Sequence, residues 1–188
     1  MLIKQERLFV MLAFGLVGVI LLSGCVQQPP SEEASVPQVN EMKSETAWMN
    51  LELADVATGQ KFKISDFKGK PILLESFAVW CPTCLKQQEM IREVNLREGD
   101  AIIHISLDTD PNEDEARVRE HIETHGFDWY FAISPIELTN ALIDEFGLTI
   151  VNAPSAPVLL ICEDQSTRFL RGGVKSADEL LLEIGEGC

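Results

Sequence analysis

The sequence predicts an α/β fold with a parallel central part, preceded by a β-hairpin. Three observations carry that prediction. Residues 71–78 are apolar almost throughout, as a strand buried on both faces reads. That run gives way at once to Trp80-Cys81-Pro82-Thr83-Cys84 and then to a helix-like stretch over 85–96. Beyond it, strand-like and helix-like segments alternate, the pattern of parallel strands joined by crossover helices. A length of 188 residues suits one domain with appendages, and a hydrophobic fraction of 46% supports a sizeable core.

The N-terminus reads as a targeting segment. Lys4 and Arg7 give a positive start, and Leu8 to Leu22 is apolar but short of the roughly 20 residues that a membrane-spanning helix needs. Leu22-Ser23-Gly24-Cys25 follows and resembles the lipobox of prokaryotic lipoproteins. The resemblance implies a signal peptide over residues 1–24 and lipid attachment at Cys25. An uncleaved signal anchor is the other reading, and both put the rest of the chain outside the cytoplasm, on the outer face of the plasma membrane. One acyl chain gives marginal binding, so stable anchoring takes the several chains that the lipoprotein resemblance implies. Residues 25–45 read as a lipid-anchored flexible linker, polar and proline-bearing. Extended, it reaches roughly 60 Å. The folded domain is expected over 46–188.

Within the domain, Trp48 to Leu53 alternates and reads as a strand, Thr58-Gly59 as a turn, and Lys61 to Ile64 as the return strand of a hairpin. Ser65 to Phe67 is a short connection into the strand at 71–78. The helix over 85–96 places Leu85, Ile91, Val94 and Leu96 among charged residues. Ala101 to Leu107 is the next strand. Asn112 is expected to cap a helix over 113–125, with Glu113, Asp114 and Glu115 at its positive end and Gly126 closing it. His121 and His125, four apart, read as a solvated helix face. His104 reads as a hydrogen-bonded interior residue, and the aromatic segment Phe127 to Ala132 as core. Pro135 to Phe146 is another helix, Val158 to Ile161 an apolar strand and Thr167 to Arg171 a further one. Ser176 caps a last helix over 177–184.

The Cys-x-x-Cys carries the chemistry. Unpaired N–H groups and the positive dipole end at a helix N-terminus stabilise a thiolate, whose pKa can fall from about 8.5 to roughly 3.5–7.5. Cys81 is thus the expected nucleophile and Cys84, one turn on, the resolving thiol. Pro82 fits the first helical turn, where no N–H is needed. A structural zinc site wants four ligands, and the sequence has no second Cys-x-x-Cys or Cys-x-x-His, so no metal is expected. The formal charge of −15 excludes the basic footprint of nucleic-acid binding.

Trp-Cys-Pro-Thr-Cys after an apolar strand, preceded by Asp66-Phe67-Lys68-Gly69-Lys70-Pro71, resembles the thioredoxin superfamily, and within it the membrane-anchored TlpA/ResA-type thiol-disulfide oxidoreductases. The likeness covers roughly residues 46–185. It implies a thioredoxin fold, with a mixed central sheet flanked by helices and an N-terminal β-hairpin extension. It implies protein thiol or disulfide substrates, a membrane or extracytoplasmic redox donor and no cofactor, and it favours a reductant, with cytochrome c maturation as one setting. Glu75 breaks the buried strand six residues before Cys81. The resemblance makes it a proton acceptor and donor for Cys84, and a wet strand edge is the alternative. Family members often place a Glu where this chain has Gln87, which cannot ionise. Pro157 stands in register with the superfamily's active-site proline, with Pro154 as the alternative. Ala156 and Pro157, with Trp80 and Pro82 beside the cysteines, are the expected substrate-docking residues. Two rivals are weaker. A peroxiredoxin-like peroxidase needs a Pro-x-x-x-Thr/Ser-x-x-Cys pattern, but Ala78 stands three before Cys81, where the Thr/Ser is needed, with Phe77 four before. A Sco-like copper chaperone resembles Cys-x-x-x-Cys, one residue longer.

Of the five cysteines, Cys162 and Cys188 remain. A strand of about five residues covers about 16 Å, and eight helical residues return about 12 Å. The end of the last helix therefore comes back near Cys162. A Cys162–Cys188 disulfide is one expectation; a buried Cys162 with a free Cys188 thiol is the other.

Overall fold

A computed structural model describes residues 46–188. The expected signal peptide, Cys25 and the linker lie outside the described residues. The architecture is a mixed central sheet flanked by helices, with a small hairpin before it.

The hairpin pairs β1 (Leu53–Ala54) with β2 (Lys61–Phe62). It is shorter than its alternation suggests. Ala47–Asn50 forms a 3-10 turn rather than a strand, and it buries the adjacent residues Trp48 and Met49. A strand sends neighbours to opposite faces, so two consecutive core residues favour the turn. The Trp48 indole N–H also donates to Glu145 (2.7 Å), and its ring meets Phe146 edge-on at 6.3 Å. Ile64–Phe67 makes a second 3-10 turn.

The main sheet runs β5-β4-β3-β6-β7. Its centre is β3 (Ile72–Phe77), buried at all six positions. Parallel to it lies β4 (Ile103–Asp108), followed by β5 (Tyr130–Ile133). On the other side β6 (Val158–Ile161) and β7 (Thr167–Phe169) pair antiparallel. Three helices link these strands or close the chain: α2 (Glu115–His125), α3 (Ile136–Phe146) and α4 (Ala177–Glu186). The fourth, α1 (Pro82–Glu98), leaves β3 at the Cys-x-x-Cys. Two apolar cores fill the two faces, one around Leu73, Phe77, Ile91 and Phe131, the other around Leu74, Ile105, Leu138 and Leu159.

Just past β1, the Val56 N–H donates to Phe131 O (2.7 Å), and Asp55 Oδ1 accepts the Phe131 N–H (3.2 Å). The segment after β1 therefore covers the outer edge of β5.

The helix α2 begins at Glu115 with Asp114 as its cap, accepting the Arg117 N–H (3.0 Å), and Gly126 ends it in the left-handed region. Asn112, the expected cap, instead bonds Asp110 (2.9 Å). Glu113 cannot join the helix because its carboxylate reaches back to Val79 N–H. His121 is not on a solvated face. It is 6% exposed, stacked on Phe77, with Nε2 2.7 Å from Gln88 Oε1. His104 is buried as expected, but neither ring nitrogen has a hydrogen-bond partner among the described residues. Burial pushes its pKa down to about 4, so the ring stays neutral. The Phe127–Phe131 aromatics stack as core at 5.7 Å.

Candidate redox site

The site sits where β3 ends and α1 begins. Cys81 is the N-cap of α1 in extended conformation, with Pro82 in the first turn. Its Sγ accepts the N–H of Cys84 (3.1 Å). That is the hydrogen bond a helix start offers to an anion, here given to sulfur. The pair is joined as a disulfide, with Cα atoms 5.3 Å apart. Cys84 Sγ lies 3.2 Å from Ala153 O, so the reduced thiol finds an acceptor there.

The segment leading to Cys81 is held by carboxylates from the loop after β4. Glu113 Oε2 accepts the Val79 N–H (2.6 Å), and Asp110 Oδ2 accepts the Trp80 indole N–H (2.6 Å). The indole hydrogen bond keeps the Asp110 carboxyl below the usual range. Asp108, at the end of β4, is buried, and burial followed by repulsion from Glu113 and Asp110 raises its pKa to about 7. Trp80 is 55% exposed and stands over a groove of about 400 Å³ shared with Pro111, Asn152 and Pro154. Pro82 is exposed beside it.

Behind the cysteines lies a polar interior. Glu75 is in the middle of β3, between Ser106 and Val158 on the neighbouring strands. Its carboxylate accepts from Ser106 Oγ (2.6 Å), which itself accepts the Trp129 indole N–H (2.9 Å). Burial raises the Glu75 pKa to about 7; Ser106, Gln88 and the Lys175 ammonium pull the other way. The strand at Glu75 is thus interior, not a wet edge. Gln87 and Gln88 both lie on the buried face of α1, facing Lys175 and His121 respectively.

Ala156 and Pro157, expected to dock substrate, do not present open backbone. Ala156 is buried with φ 46°, its N–H donating to Ala153 O (2.9 Å) and its carbonyl accepting from Lys175 Nζ (2.9 Å). Pro157 is buried, and its carbonyl accepts the Ser76 N–H. Pro154, by contrast, is exposed and faces the groove, which Pro111 of the loop after β4 also lines.

Cys162 and Cys188 are joined by a disulfide away from these residues, at the end of β6, with Cα atoms 6.0 Å apart. Arg168 of β7 helps hold that end by bonding Gly187 O and Glu183. Among the described residues, no group of three or more His, Cys, Asp or Glu is placed to hold a metal ion. No helix of the described residues is long and apolar enough to cross a membrane.

The family model described as Redoxin matches residues 32–169. The chain belongs to the Redoxin family. A relative is the thioredoxin-like protein YneN of Bacillus subtilis, 26% identical over 110 residues, which are 57% of this chain and 59% of that protein. The chain therefore spans about three fifths of that relative's length. Solved structures share the thioredoxin fold. A thiol:disulfide interchange protein of Chlorobium tepidum superposes with a TM-score of 0.61 at 18% identity, over 73% of this chain and 92% of that one. A secreted Mycobacterium tuberculosis disulfide oxidoreductase gives 0.56 at 16%, over 74% and 97%. The exposed lipoprotein thioredoxin of Streptococcus pneumoniae gives 0.53 at 22%, over 72% and 98%.

Several partners at this candidate site carry no motif. Lys175 is one residue ahead of the α4 cap and reads as a surface lysine. Asp110 and Glu113 read as a polar loop and a helix start. Only the inward turn of those loops brings them to the cysteines.

Proposed function

We propose that this chain is an extracytoplasmic thiol-disulfide oxidoreductase whose working group is the Cys81–Cys84 dithiol/disulfide. The observation that carries this reading is the N-cap position of Cys81, whose sulfur receives the Cys84 N–H at the start of α1. The same hydrogen bond favours a thiolate over a thiol once the pair is reduced.

The steps balance as follows. The Cys81 thiolate attacks one sulfur of a substrate disulfide and expels the other as a thiolate. Cys84 loses its proton, with the Glu75 carboxylate as acceptor, and its thiolate displaces the substrate from Cys81. The substrate leaves as a dithiol, its two thiolates taking one proton from Glu75 and one from solvent, and Cys81–Cys84 becomes the disulfide. A dithiol donor outside the cytoplasm then resets the pair. A Glu75 poised near pH 7 can both take and return a proton at that pH. Substrate chains dock across Trp80, Pro82 and the groove edge, with Ala156–Pro157 forming the buried wall behind them.

Reduction of protein disulfides is the favoured direction, with cytochrome c maturation as one setting. Lipid attachment at Cys25 on the outer face of the plasma membrane agrees with the lipobox-like Leu22-Ser23-Gly24-Cys25 and with the likeness to an exposed lipoprotein thioredoxin.

The test is dithiothreitol-driven insulin reduction by the full chain. Activity is expected in the wild type, none in Cys81→Ser, and a trapped mixed disulfide with Cys84→Ser. A wild type that does not accelerate insulin reduction refutes the reading. Redox titration against dithiothreitol then reads direction: a potential near about −270 mV marks a reductant, and one near about −120 mV an oxidant.

A further inference from the structure

Lys175, in the turn between β7 and α4, is fully buried. An ammonium in an interior is costly unless its N–H groups find acceptors. All three do: Nζ donates to Ala156 O (2.9 Å), Arg171 O (3.0 Å) and Gly173 O (2.6 Å). The backbone of the same residue is tied to α1. Its N–H donates to Gln87 Oε1 (2.8 Å), and its carbonyl accepts from Gln87 Nε2 (3.2 Å).

These bonds close a ring around the resolving cysteine. From Cys84 the helix leads to Gln87, and Gln87 holds Lys175. Lys175 holds the Ala156 carbonyl, and the Ala156 N–H holds Ala153 O (2.9 Å). Ala153 O in turn lies 3.2 Å from Cys84 Sγ. Ala156 sits at φ 46°, a conformation that alanine keeps only when its surroundings impose it. The lysine supplies that constraint. An apolar side chain of similar size would fill the space but leave buried carbonyls without donors.

We propose that Lys175 is a positioning residue of the redox centre, an internal cation that holds the Ala153–Ala156 wall against Cys84 and stands as counter-charge to Glu75. The proposal deepens the oxidoreductase reading and rests on it. The charges that act on Lys175 are those of Glu75 from β3, Arg171 from the turn after β7, and Glu179 and Glu183 from α4. Those facing Glu75 are Lys175, Ser106 of β4 and Gln88 of α1, with His121 behind Gln88. Burial lowers the Lys175 pKa to about 8, which leaves it mostly charged at neutral pH.

The experiment compares the full chain as wild type, Lys175→Met, Lys175→Gln and Glu75→Gln. Lys175→Gln removes the charge but keeps amide donors for the carbonyls, so it carries the test should Lys175→Met fail to fold. The first readout is the rate of insulin reduction against pH. The wild type is expected to show a limb near pH 7 that Glu75→Gln abolishes. Both lysine variants are expected to move that limb upward by about half a unit to one unit, because a cation that favoured the carboxylate is gone. A limb that stays in place while thermal stability falls marks a merely structural lysine and overturns the counter-charge role. A wild type without the limb, or one whose limb survives Glu75→Gln, removes the Glu75 step instead.

The second readout does not depend on Glu75. In a Cys81→Ser background, alkylation of the reduced Cys84 thiol by iodoacetamide is expected to speed up about tenfold with Lys175→Met, or with Lys175→Gln to a smaller degree, as the wall loosens by the worth of one buried hydrogen bond. An unchanged alkylation rate overturns the positioning role.

Discussion

Glu75→Gln should separate the cost of burying a carboxylate from everything else in the fold. Burial raises the Glu75 pKa from 4.5 to about 7. The unfolded chain therefore ionises first. Between those pH values the folded chain keeps a proton that the unfolded one has lost, so this residue makes the protein less stable as pH rises, and the full penalty is present above pH 7. A shift of about 2.5 units at about 1.36 kcal/mol each amounts to about 3 kcal/mol. Glutamine is nearly the same size and keeps an acceptor for the Ser106 hydroxyl, so no cavity opens. The assay is urea unfolding of the oxidised full chain at intervals from pH 4.5 to 8.5, for wild type and variant. Asp108, also raised to about 7, and His104 and His121, both lowered to about 4, bend the absolute curves of both proteins alike. The difference between the curves isolates Glu75 together with its coupling to Lys175, whose pKa burial lowers to about 8 and the Glu75 charge helps to raise. The stability of Glu75→Gln relative to wild type should climb by about 3 kcal/mol across that interval. A difference that is flat with pH would refute the reasoning, since Glu75 would then carry the same charge folded and unfolded.

Three further outcomes are expected. Replacing Cys162 and Cys188 by serine opens a loop with a sequence separation of 26 and should lower stability by about 3–4 kcal/mol in urea unfolding, with the insulin-reducing rate of the still-folded protein little changed. Glu113→Ala takes the acceptor from the Val79 N–H and should cost about 1–3 kcal/mol and slow disulfide exchange, whereas Glu113→Gln should keep most of both. Asp110→Ala frees the exposed Trp80 indole; stability should stay within about 0.5 kcal/mol while KM for a peptide disulfide rises, and an unchanged KM would remove Trp80 from the docking surface.

What the sequence made legible was what depends on local pattern. The apolar runs of β3, β4 and β6 and the Ser176 cap are short-range facts, and Cys81-x-x-Cys84 at a strand-to-helix junction placed the site. The misreadings all involve a partner distant in sequence. Trp48 alternates like a strand residue, but its indole is claimed by Glu145 and the backbone curls into a turn. Glu113 has the composition of a helix start, yet Val79 N–H draws it out of the helix, so the cap moves to Asp114. His121 looks solvated beside His125, until Gln88 and Phe77 cover it. Lys175 carries no sequence signal at all. A lysine ahead of a helix cap is ordinary on a surface, and only the carbonyls of Ala156, Arg171 and Gly173 make it interior. Buried polar residues are legible through their partners, and composition does not name those.

The backbone bonds between residues 55–56 and Phe131 bear on how these molecules behave at high local density. A sheet margin with unpaired amides is a template on which another chain can add a strand. Here the β5 margin is occupied by the chain's own leading segment, and the opposite margin, β7, offers just three residues. Neighbouring copies can therefore crowd together with little foothold for ribbon-like polymerisation, and the groove beside Trp80 stays open for passing clients.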